Sequence, residues 1–238
     1  MDYRNTVEFS IKGDYALFSD PITRVGGEKC SYHIPTYESL KGVLQSVYWK
    51  PTIIWYIDKV RVMNNIQTVT KNIRPIDYNS GGNDLSIYTY LRDAHYQVKA
   101  HFDWNLNRPE LVYDRNEHKH HNIAKRMIAC GGRRDVFLGT RECQAYVEPC
   151  IFGEGSGAYD NISEIAFGYM FHGFTYADEA VRQEEKDKLT ARFFRPIMKN
   201  GIVLFPLPEE CSEKDRRIIR NFQIKCFCKE NFIGLAEF

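Results

Sequence analysis

The middle of the sequence holds three histidines around one lysine: His118, Lys119, His120 and His121. Histidine can both accept and donate a proton near neutral pH, and a neighbouring lysine can stabilise the charge that develops on a phosphorane. These residue types therefore predict acid–base chemistry at a phosphate. Two alternatives stay open. The histidines could be surface groups without a function, or they could bind a metal, although a His-Glu-x-x-His pattern is missing and the nearest cysteine is Cys130.

Tyr48 and Lys50 form a second candidate, at the end of a predicted helix. A tyrosine there can orient a 2′-hydroxyl or pass a proton, although its ordinary pKa of ~10 makes it a poor base. The alternative is an aromatic side chain that covers the core at the helix end. The sequence alone does not separate these interpretations.

Basic charge is concentrated between Arg115 and Glu142. This segment has seven Lys or Arg residues and three acidic ones, whereas the whole chain has a net charge of +1. The basic residues are Arg115, Lys119, Lys125, Arg126, Arg133, Arg134 and Arg141. A solvated helix face is one interpretation. The other is a phosphate-binding surface, in which Gly131-Gly132-Arg133-Arg134 supplies backbone N–H groups and two guanidinium groups.

The composition limits the function classes. The 238 residues include 32 basic and 31 acidic ones, which excludes a histone-like nucleic-acid binder but leaves room for a local basic site. Aromatic residues reach 14%, a content that suits β-rich packing and also base stacking. Seven scattered cysteines and a polar N-terminus predict reduced thiols, a cytoplasmic location and no membrane segment. Paired carboxylates for a two-metal site are not apparent, so we expect a metal-free reaction without a cofactor.

The first half of the chain predicts a strand, a helix and a second strand. Residues 7–11 alternate between apolar and polar, as a half-buried strand does. Leu40, Val43, Leu44 and Val47 have helical spacing, with Thr36 as the predicted N-cap. Residues 53–62 are β-branched and aromatic, which favours a strand.

The same order follows once more. Residues 96–104 alternate cleanly and predict a strand. Asp114 and Glu117 resemble a capping box before a helix that ends at Gly131-Gly132, and residues 135–138 and 141–147 return to an extended form. We therefore predict an α+β protein with a ferredoxin-like (split βαβ, RRM-like) domain over residues 1–150. Both helices then lie on one side of the sheet, and the end of the first can approach the start of the second.

Residues 151–238 predict a small antiparallel β domain and a tail. Asn200-Gly201 between two apolar runs indicates a hairpin with a type I′ turn. The glycine-rich residues 153–157 match no nucleotide-binding motif and are interpreted as a flexible loop.

Several separated motifs in this sequence resemble those of one family. They are Gly13-Asp14-Tyr15-Ala16-Leu17-Phe18, Ser31-Tyr32-His33-Ile34-Pro35-Thr36, Tyr48-Trp49-Lys50-Pro51, Arg115-Asn116-Glu117-His118-Lys119-His120, the run from Gly131 to Gly139, and Arg141-Glu142-Cys143. They resemble the CRISPR-associated Cas-five proteins of the Dvulg subtype (type I-C), over roughly the first three quarters of the chain.

The resemblance implies an endoribonuclease of the repeat-associated mysterious protein superfamily. Such a protein cuts precursor CRISPR RNA at the base of the repeat hairpin without metal, and stays on the 5′ handle of the guide within the type I-C interference complex. The catalytic Tyr, Lys and His of the family fall on Tyr48, Lys119 and His120. His121 is the alternative proton-transfer group.

The expected partners are CRISPR repeat RNA or guide RNA and the backbone and large subunits of that complex. The residues expected to bind RNA are Lys50, Arg115, His121, Arg126, Arg133, Arg134 and Arg141. The alternative function is a non-catalytic subunit that binds the RNA handle. Binding of duplex DNA is compatible with either function.

Overall fold

The computed structural model describes residues 4–76 and 81–223. Within them the strands, numbered in chain order, are β1 Thr6–Ala16, β2 Ile53–Val62, β3 Gln67–Ile73, β4 Ser86–Trp104, β5 Val136–Phe137, β6 Gln144–Pro149, β7 Ile165–Ala166, β8 Met170–Thr175, β9 Lys188–Phe194, β10 Ile197–Lys199, β11 Ile202–Leu204 and β12 Arg216–Asn221. The helices are α1 Pro21–Arg24, α2 Tyr37–Val47 and α3 Glu117–Ala129, with 3₁₀ turns at Pro109–Asp114, Gln183–Glu185 and Glu213–Asp215. The predicted α+β class is confirmed. None of the helices in these ranges is long and apolar enough to cross a membrane.

Four antiparallel strands form the centre of a nine-stranded sheet, in the order β6-β1-β4-β2. In the chain, α2 connects β1 to β2, and α3 connects β4 to β6. Phe9 in β1 lies opposite Val98 in β4, and Trp55 in β2 lies opposite Phe102 in β4. These four side chains are buried in one apolar core.

The predicted first helix forms as its spacing indicates. Thr36 is the N-cap of α2, and its hydroxyl accepts a hydrogen bond from the Ser39 N–H at 3.2 Å. The apolar side chains at positions 40, 43, 44 and 47 are all buried. Burial of this stripe fixes the rotation of α2, and with it the direction in which the chain leaves the helix at Tyr48.

The structure differs locally from the prediction at the start of α3 and at strands β3 and β4. Asp114 does not cap α3, because Asn116 is the N-cap and its side-chain oxygen accepts from the Lys119 N–H at 3.0 Å. Strand β3 was also missed, and β4 extends ten residues further towards the N-terminus than the predicted strand. The side chains of β3 are exposed or half-buried, so its sequence lacks the apolar alternation that predicts a strand.

The second part of the chain extends the same sheet. Asn200 and Gly201 have φ values of 48° and 76°, and β10 and β11 form the predicted hairpin around them. Val203 in β11 lies opposite Val60 in β2. Strands β12, β9 and β8 form a separate three-stranded sheet, which contacts α2 where the Phe174 N–H donates to Glu38.

The face of the sheet opposite the helices is largely polar. His101 pairs with Asp58 at 2.6 Å, and Lys99 pairs with Glu8 at 2.9 Å. On the same face the buried Arg61 donates to Asp160 and to the carbonyl oxygens of residues 154 and 155. Arg61 thus joins the backbone of the glycine-rich loop to this face of the sheet.

The turn at Gly139 gives a test of the fold. Gly139 has φ +94°, and a Cβ there would lie 2.0 Å from the carbonyl oxygen of Leu17. Gly153 has φ +95° and open space around the same position, so it is a matched control. We expect Gly153→Ala to cost about 1–2 kcal/mol from backbone strain alone, and Gly139→Ala to cost several kcal/mol more. Equal losses in the free energy of unfolding, measured by urea denaturation, would contradict this packing.

Candidate active site

The side chains of Tyr48 and His120 are in contact, although the two residues are 72 positions apart in the sequence. Tyr48 directly follows α2, where its N–H donates to the Leu44 carbonyl at 2.7 Å and its own carbonyl accepts from the Trp55 indole at 2.8 Å. His120 lies in the first turn of α3. The Tyr48 hydroxyl and the His120 Nδ1 are 2.8 Å apart. The end of one helix thus contacts the start of the other.

The hydrogen bonds of His120 define its tautomer. The His120 Nε2 lies 2.8 Å from the Asp114 backbone carbonyl, which can only accept, so Nε2 carries a proton. In the neutral ring Nδ1 is then an acceptor, and the Tyr48 O–H donates to it. This geometry gives a proton a direct route from the Tyr48 oxygen to the imidazole.

Asp114 joins Lys119 to the same cluster. Its carboxylate forms an ion pair with the Lys119 ammonium and accepts from the Thr52 hydroxyl at 2.7 Å. The hydrogen bond from Lys119 lowers the pKa of Asp114 below its ordinary value, with a further contribution from Thr52. The carboxylate is therefore charged at neutral pH, and it lies 3.5 Å from the His120 Nε2, where it can stabilise an imidazolium. Sequence reasoning missed Asp114 as a site residue.

Burial separates the three predicted catalytic side chains. The His120 side chain has no exposed surface, and its ring lies edge-on to Trp104 with centroids 5.6 Å apart. Tyr48 is only 4% exposed, and burial together with the charge of Asp114 raises its pKa to about 12. The Lys119 side chain is 48% exposed. Lys119 can reach a ligand directly, whereas Tyr48 and His120 are both buried.

The turn over residues 131–134 lies against the end of α2. The Arg133 N–H donates to the Val47 carbonyl and the Arg134 N–H to the Ser46 carbonyl, both at 3.2 Å. Both arginine side chains are exposed. The structure therefore brings this basic turn next to Tyr48. Lys50 is exposed two residues beyond Tyr48.

The other predicted RNA-binding residues are spread over α3 and its surroundings. Arg126 is exposed two helical turns after Lys119, on the same side of the helix. His121 lies on the opposite flank, where its Nε2–H donates to the Thr6 carbonyl at 2.9 Å. Arg115 donates to the carbonyl of Asn105 at 3.0 Å. Arg141 lies 5.9 Å from the centre of the Phe137 ring, at the edge of the sheet.

His120 and His121 are distinguished by their position on the helix. Each residue advances about 100° around α3, so His120 lies at the centre of the apolar stripe formed by Ile123, Ala124, Met127 and Ile128, whereas His121 lies at its edge and is half-buried. The contacts seen in the described ranges do not join His121 to Tyr48. Metal binding finds no support in the described part of the chain, which has no cluster of three His, Cys, Asp or Glu side chains. The closely spaced cysteines of the sequence, Cys226 and Cys228, lie outside the described residues.

Comparison with known proteins gives a consistent set of relatives. The family model described as CRISPR-associated protein (Cas_Cas5) matches residues 6–206. The CRISPR pre-crRNA endoribonuclease Cas5d of Mannheimia succiniciproducens is 26% identical over 229 residues, which cover 85% of this chain and 95% of that protein. A crystal structure of a CRISPR-associated protein has a TM-score of 0.73 at 34% identity and covers 87% of this chain and 94% of its own. A functionally uncharacterized protein from Streptococcus mutans has a TM-score of 0.70 at 37% identity, with 87% and 95% coverage.

Proposed function

Because this chain belongs to the Cas5 family of CRISPR-associated proteins, we propose that it is an endoribonuclease that cleaves precursor CRISPR RNA at the base of the repeat hairpin. The observation that carries this proposal is the hydrogen bond between Tyr48 and His120, with Lys119 beside it. The name of the Mannheimia relative, a pre-crRNA endoribonuclease, supports the same activity.

The reaction begins with attack of a 2′-hydroxyl on the adjacent phosphate. The 2′-hydroxyl gives its proton to the Tyr48 oxygen while the Tyr48 proton passes to the His120 Nδ1, 2.8 Å away. The phenol has a raised pKa and therefore holds its proton at rest, so the imidazole is the final acceptor. Asp114 stabilises the imidazolium that results.

The second half of the reaction concerns the phosphate. As the 2′ oxygen bonds to phosphorus, the Lys119 ammonium stabilises the negative charge of the phosphorane. The bond from phosphorus to the 5′ oxygen breaks, and that oxygen takes a proton from water, while the imidazolium of His120 later returns its proton to the solvent. The products are a 2′,3′-cyclic phosphate and a 5′-hydroxyl. A lysine and an imidazole provide the charge and the proton transfer, so the proposed reaction uses no metal and no cofactor.

In the proposed function, lysine and arginine side chains around Tyr48, Lys119 and His120 bind the RNA. Arg133 and Arg134 are exposed beside the end of α2, and Lys50 and Arg126 are exposed near Tyr48 and along α3. Guanidinium groups suit phosphate oxygens because they donate two parallel hydrogen bonds. In the proposal Arg115, His121 and Arg141 bind RNA further from the cut, and after cleavage the protein stays on the 5′ handle with the subunits of a type I-C complex.

We also propose that the central strands form a ferredoxin-like domain over residues 1–150, followed by a smaller β domain over 151–238. The strand order β6-β1-β4-β2 and the two connecting helices support the first part of this proposal. The three-stranded sheet supports a second unit, although β7, β10 and β11 join the large sheet.

One observation favours the alternative of a non-catalytic subunit that binds the RNA handle. His120 is fully buried and both of its ring nitrogens are hydrogen-bonded within the protein, as a structural histidine would be. In that case Lys119 and the arginines would bind RNA without cutting it.

Incubation of the purified protein with its cognate repeat RNA separates the two functions. We expect one cut at the base of the hairpin, a 2′,3′-cyclic phosphate on one fragment and a 5′-hydroxyl on the other. Gel analysis with end-group-specific enzymes measures both termini. Tight binding of uncut RNA would establish the alternative.

A further inference from the structure

A large cavity lies at the end of α2, lined by Gln45 and by Trp49, the residue that follows Tyr48. Its volume is about 990 Å³, at the upper end of the size range of small-molecule sites. The Trp49 indole is 45% exposed and lines the cavity together with the rings of Tyr176 and Phe222. The Tyr176 and Phe222 ring centroids are 6.4 Å apart at 68°. Three aromatic rings around one opening suit a flat, unsaturated ligand.

Polar groups suited to the edge of such a ligand surround these rings. Gln45, Asn221 and Gln223 are among the residues that line the cavity, and a side-chain amide can both donate and accept hydrogen bonds. The Arg220 guanidinium lies 5.6 Å from the centre of the Phe222 ring. Amide groups next to stacking rings are the groups that read the hydrogen-bonding edge of a nucleobase.

Each acidic residue that lines the cavity has a basic partner. Asp178 lies 3.7 Å from Arg108, which Glu110 shares at the same distance, and Glu179 forms an ion pair with Lys41. Arg220 is a further basic residue of the lining. The two carboxylates of the cavity are thus accompanied by cations that a phosphate can also approach.

Both walls of the cavity are continuous with the proposed active site. Trp49 follows Tyr48 directly on one side. On the other side Arg108 directly precedes the 3₁₀ turn Pro109–Asp114, whose last residue is the partner of Lys119. A nucleotide in the cavity would thus be close in the RNA chain to the phosphate held by Tyr48 and Lys119.

We propose that this cavity binds one unpaired nucleobase of the RNA, stacked on Trp49 and facing the Tyr176–Phe222 pair. This inference rests on the proposed function for the identity of the ligand. Its role is to fix which phosphate lies at Tyr48, since a base held at a constant distance from the cut sets the register of the RNA.

Binding measurements with abasic RNAs test the inference. The repeat RNA carries a 2′-deoxy nucleotide at the cut, so that binding is measured without cleavage, and one base is removed at each unpaired flanking position in turn. We expect Trp49→Ala to weaken binding of the complete RNA on the order of ten- to a hundredfold, and Trp49→Phe to restore most of it. One of the abasic RNAs lacks the base that occupies the cavity. The wild type should bind that RNA more weakly than the complete RNA by the same factor, and Trp49→Ala should cause no further loss of affinity for it. Tyr146→Ala, which removes a ring that is 65% exposed on another face, should change none of these values.

Two results would overturn the inference. In the first, Trp49→Ala weakens every abasic RNA by the same factor as the complete RNA. In the second, Trp49→Ala lowers the thermal midpoint without changing RNA affinity, which would mean that the indole packs against the protein itself. Cleavage of unmodified RNA by the wild type is measured separately. If cleavage is absent while the coupling between Trp49 and one base is present, the nuclease proposal fails and the base-binding cavity stands.

Discussion

Replacement of His120 by Gln is expected to lower the single-turnover rate of RNA cleavage by about 10²–10⁴-fold and to leave the RNA dissociation constant within a few-fold of wild type. The imidazole is the final proton acceptor in the proposed reaction, and an amide cannot take its place. RNA affinity is expected to change little because His120 has no exposed surface and its Nδ1 is hydrogen-bonded to Tyr48 within the protein.

Glutamine is the informative substitution because it retains the capacity for both hydrogen bonds. Its amide can donate to the Asp114 carbonyl and accept from the Tyr48 hydroxyl, as His120 does. If His120 had only a structural role, Gln would preserve cleavage, and His120→Ala would reduce cleavage and stability together. Thermal denaturation of both variants, measured beside the cleavage rate, separates the two roles.

A matched control comes from the same helix. His118 lies two residues earlier and its side chain is 62% exposed, so His118→Ala removes an imidazole from α3 without touching the cluster. Its cleavage rate should equal that of the wild type. Tyr48→Phe removes only the hydroxyl of the proposed relay and should slow cleavage to a similar extent as His120→Gln. Full activity of Tyr48→Phe would contradict a proton route through the phenol.

The Lys119–Asp114 ion pair has a consequence for substrate binding. In this structure the Lys119 ammonium is paired with the Asp114 carboxylate, although its side chain is half exposed. An RNA phosphate must therefore compete with Asp114 for Lys119, or share it. The Lys119 side of this pair is open to solvent, which screens the interaction, so a phosphate that is also held by Arg133 and Arg134 can compete for the lysine. Asp114 then remains next to His120, where its charge favours proton transfer to the ring.

The contact between Tyr48 and His120 could be predicted in outline from the sequence. Alternation in the strands and the spacing of residues 40–47 indicate two βαβ units, and in that topology the two helices lie side by side. The apolar stripe of α3 also indicates which histidine is buried. Ile123, Ala124, Met127 and Ile128 recur at helical spacing, and His120, three residues before Ile123 and four before Ala124, lies at the centre of that stripe, which distinguishes it from His121.

Asp114 and the Trp49 cavity could not be predicted in that way. Asp114 lies in a 3₁₀ turn outside α3, and its contact with Thr52 crosses 62 positions without a periodic signal. The cavity combines Trp49 with Tyr176 and Phe222, which come from the segment after β8 and from the end of β12. Local patterns describe which face of an element is buried, but they do not describe which distant loops meet at its end.

A single 2′-deoxy nucleotide immediately before the scissile phosphate is expected to abolish cleavage. The proposed nucleophile belongs to the substrate itself, and an intramolecular nucleophile provides an effective concentration of about 10⁵–10⁸ M. Its removal should therefore reduce the rate by at least ~10⁵-fold, whatever the protein supplies. Binding of the deoxy RNA should stay close to that of the unmodified RNA, because the arginine and lysine side chains contact phosphates rather than this hydroxyl.

The same substrate pair distinguishes this reaction from metal-assisted attack by water. Cleavage of the unmodified RNA should be unchanged in excess EDTA, since Lys119 provides the positive charge at the phosphorane and His120 accepts the proton. Moving the deoxy position by one nucleotide in either direction is the control, and it should leave the rate within a few-fold of the unmodified RNA. Two results would show that a metal-bound water attacks the phosphate. One is cleavage of the RNA that lacks the 2′-hydroxyl at the cut, and the other is loss of cleavage of the unmodified RNA in EDTA. The Tyr48–His120 contact would then have to be reinterpreted as part of the core that supports the end of α2.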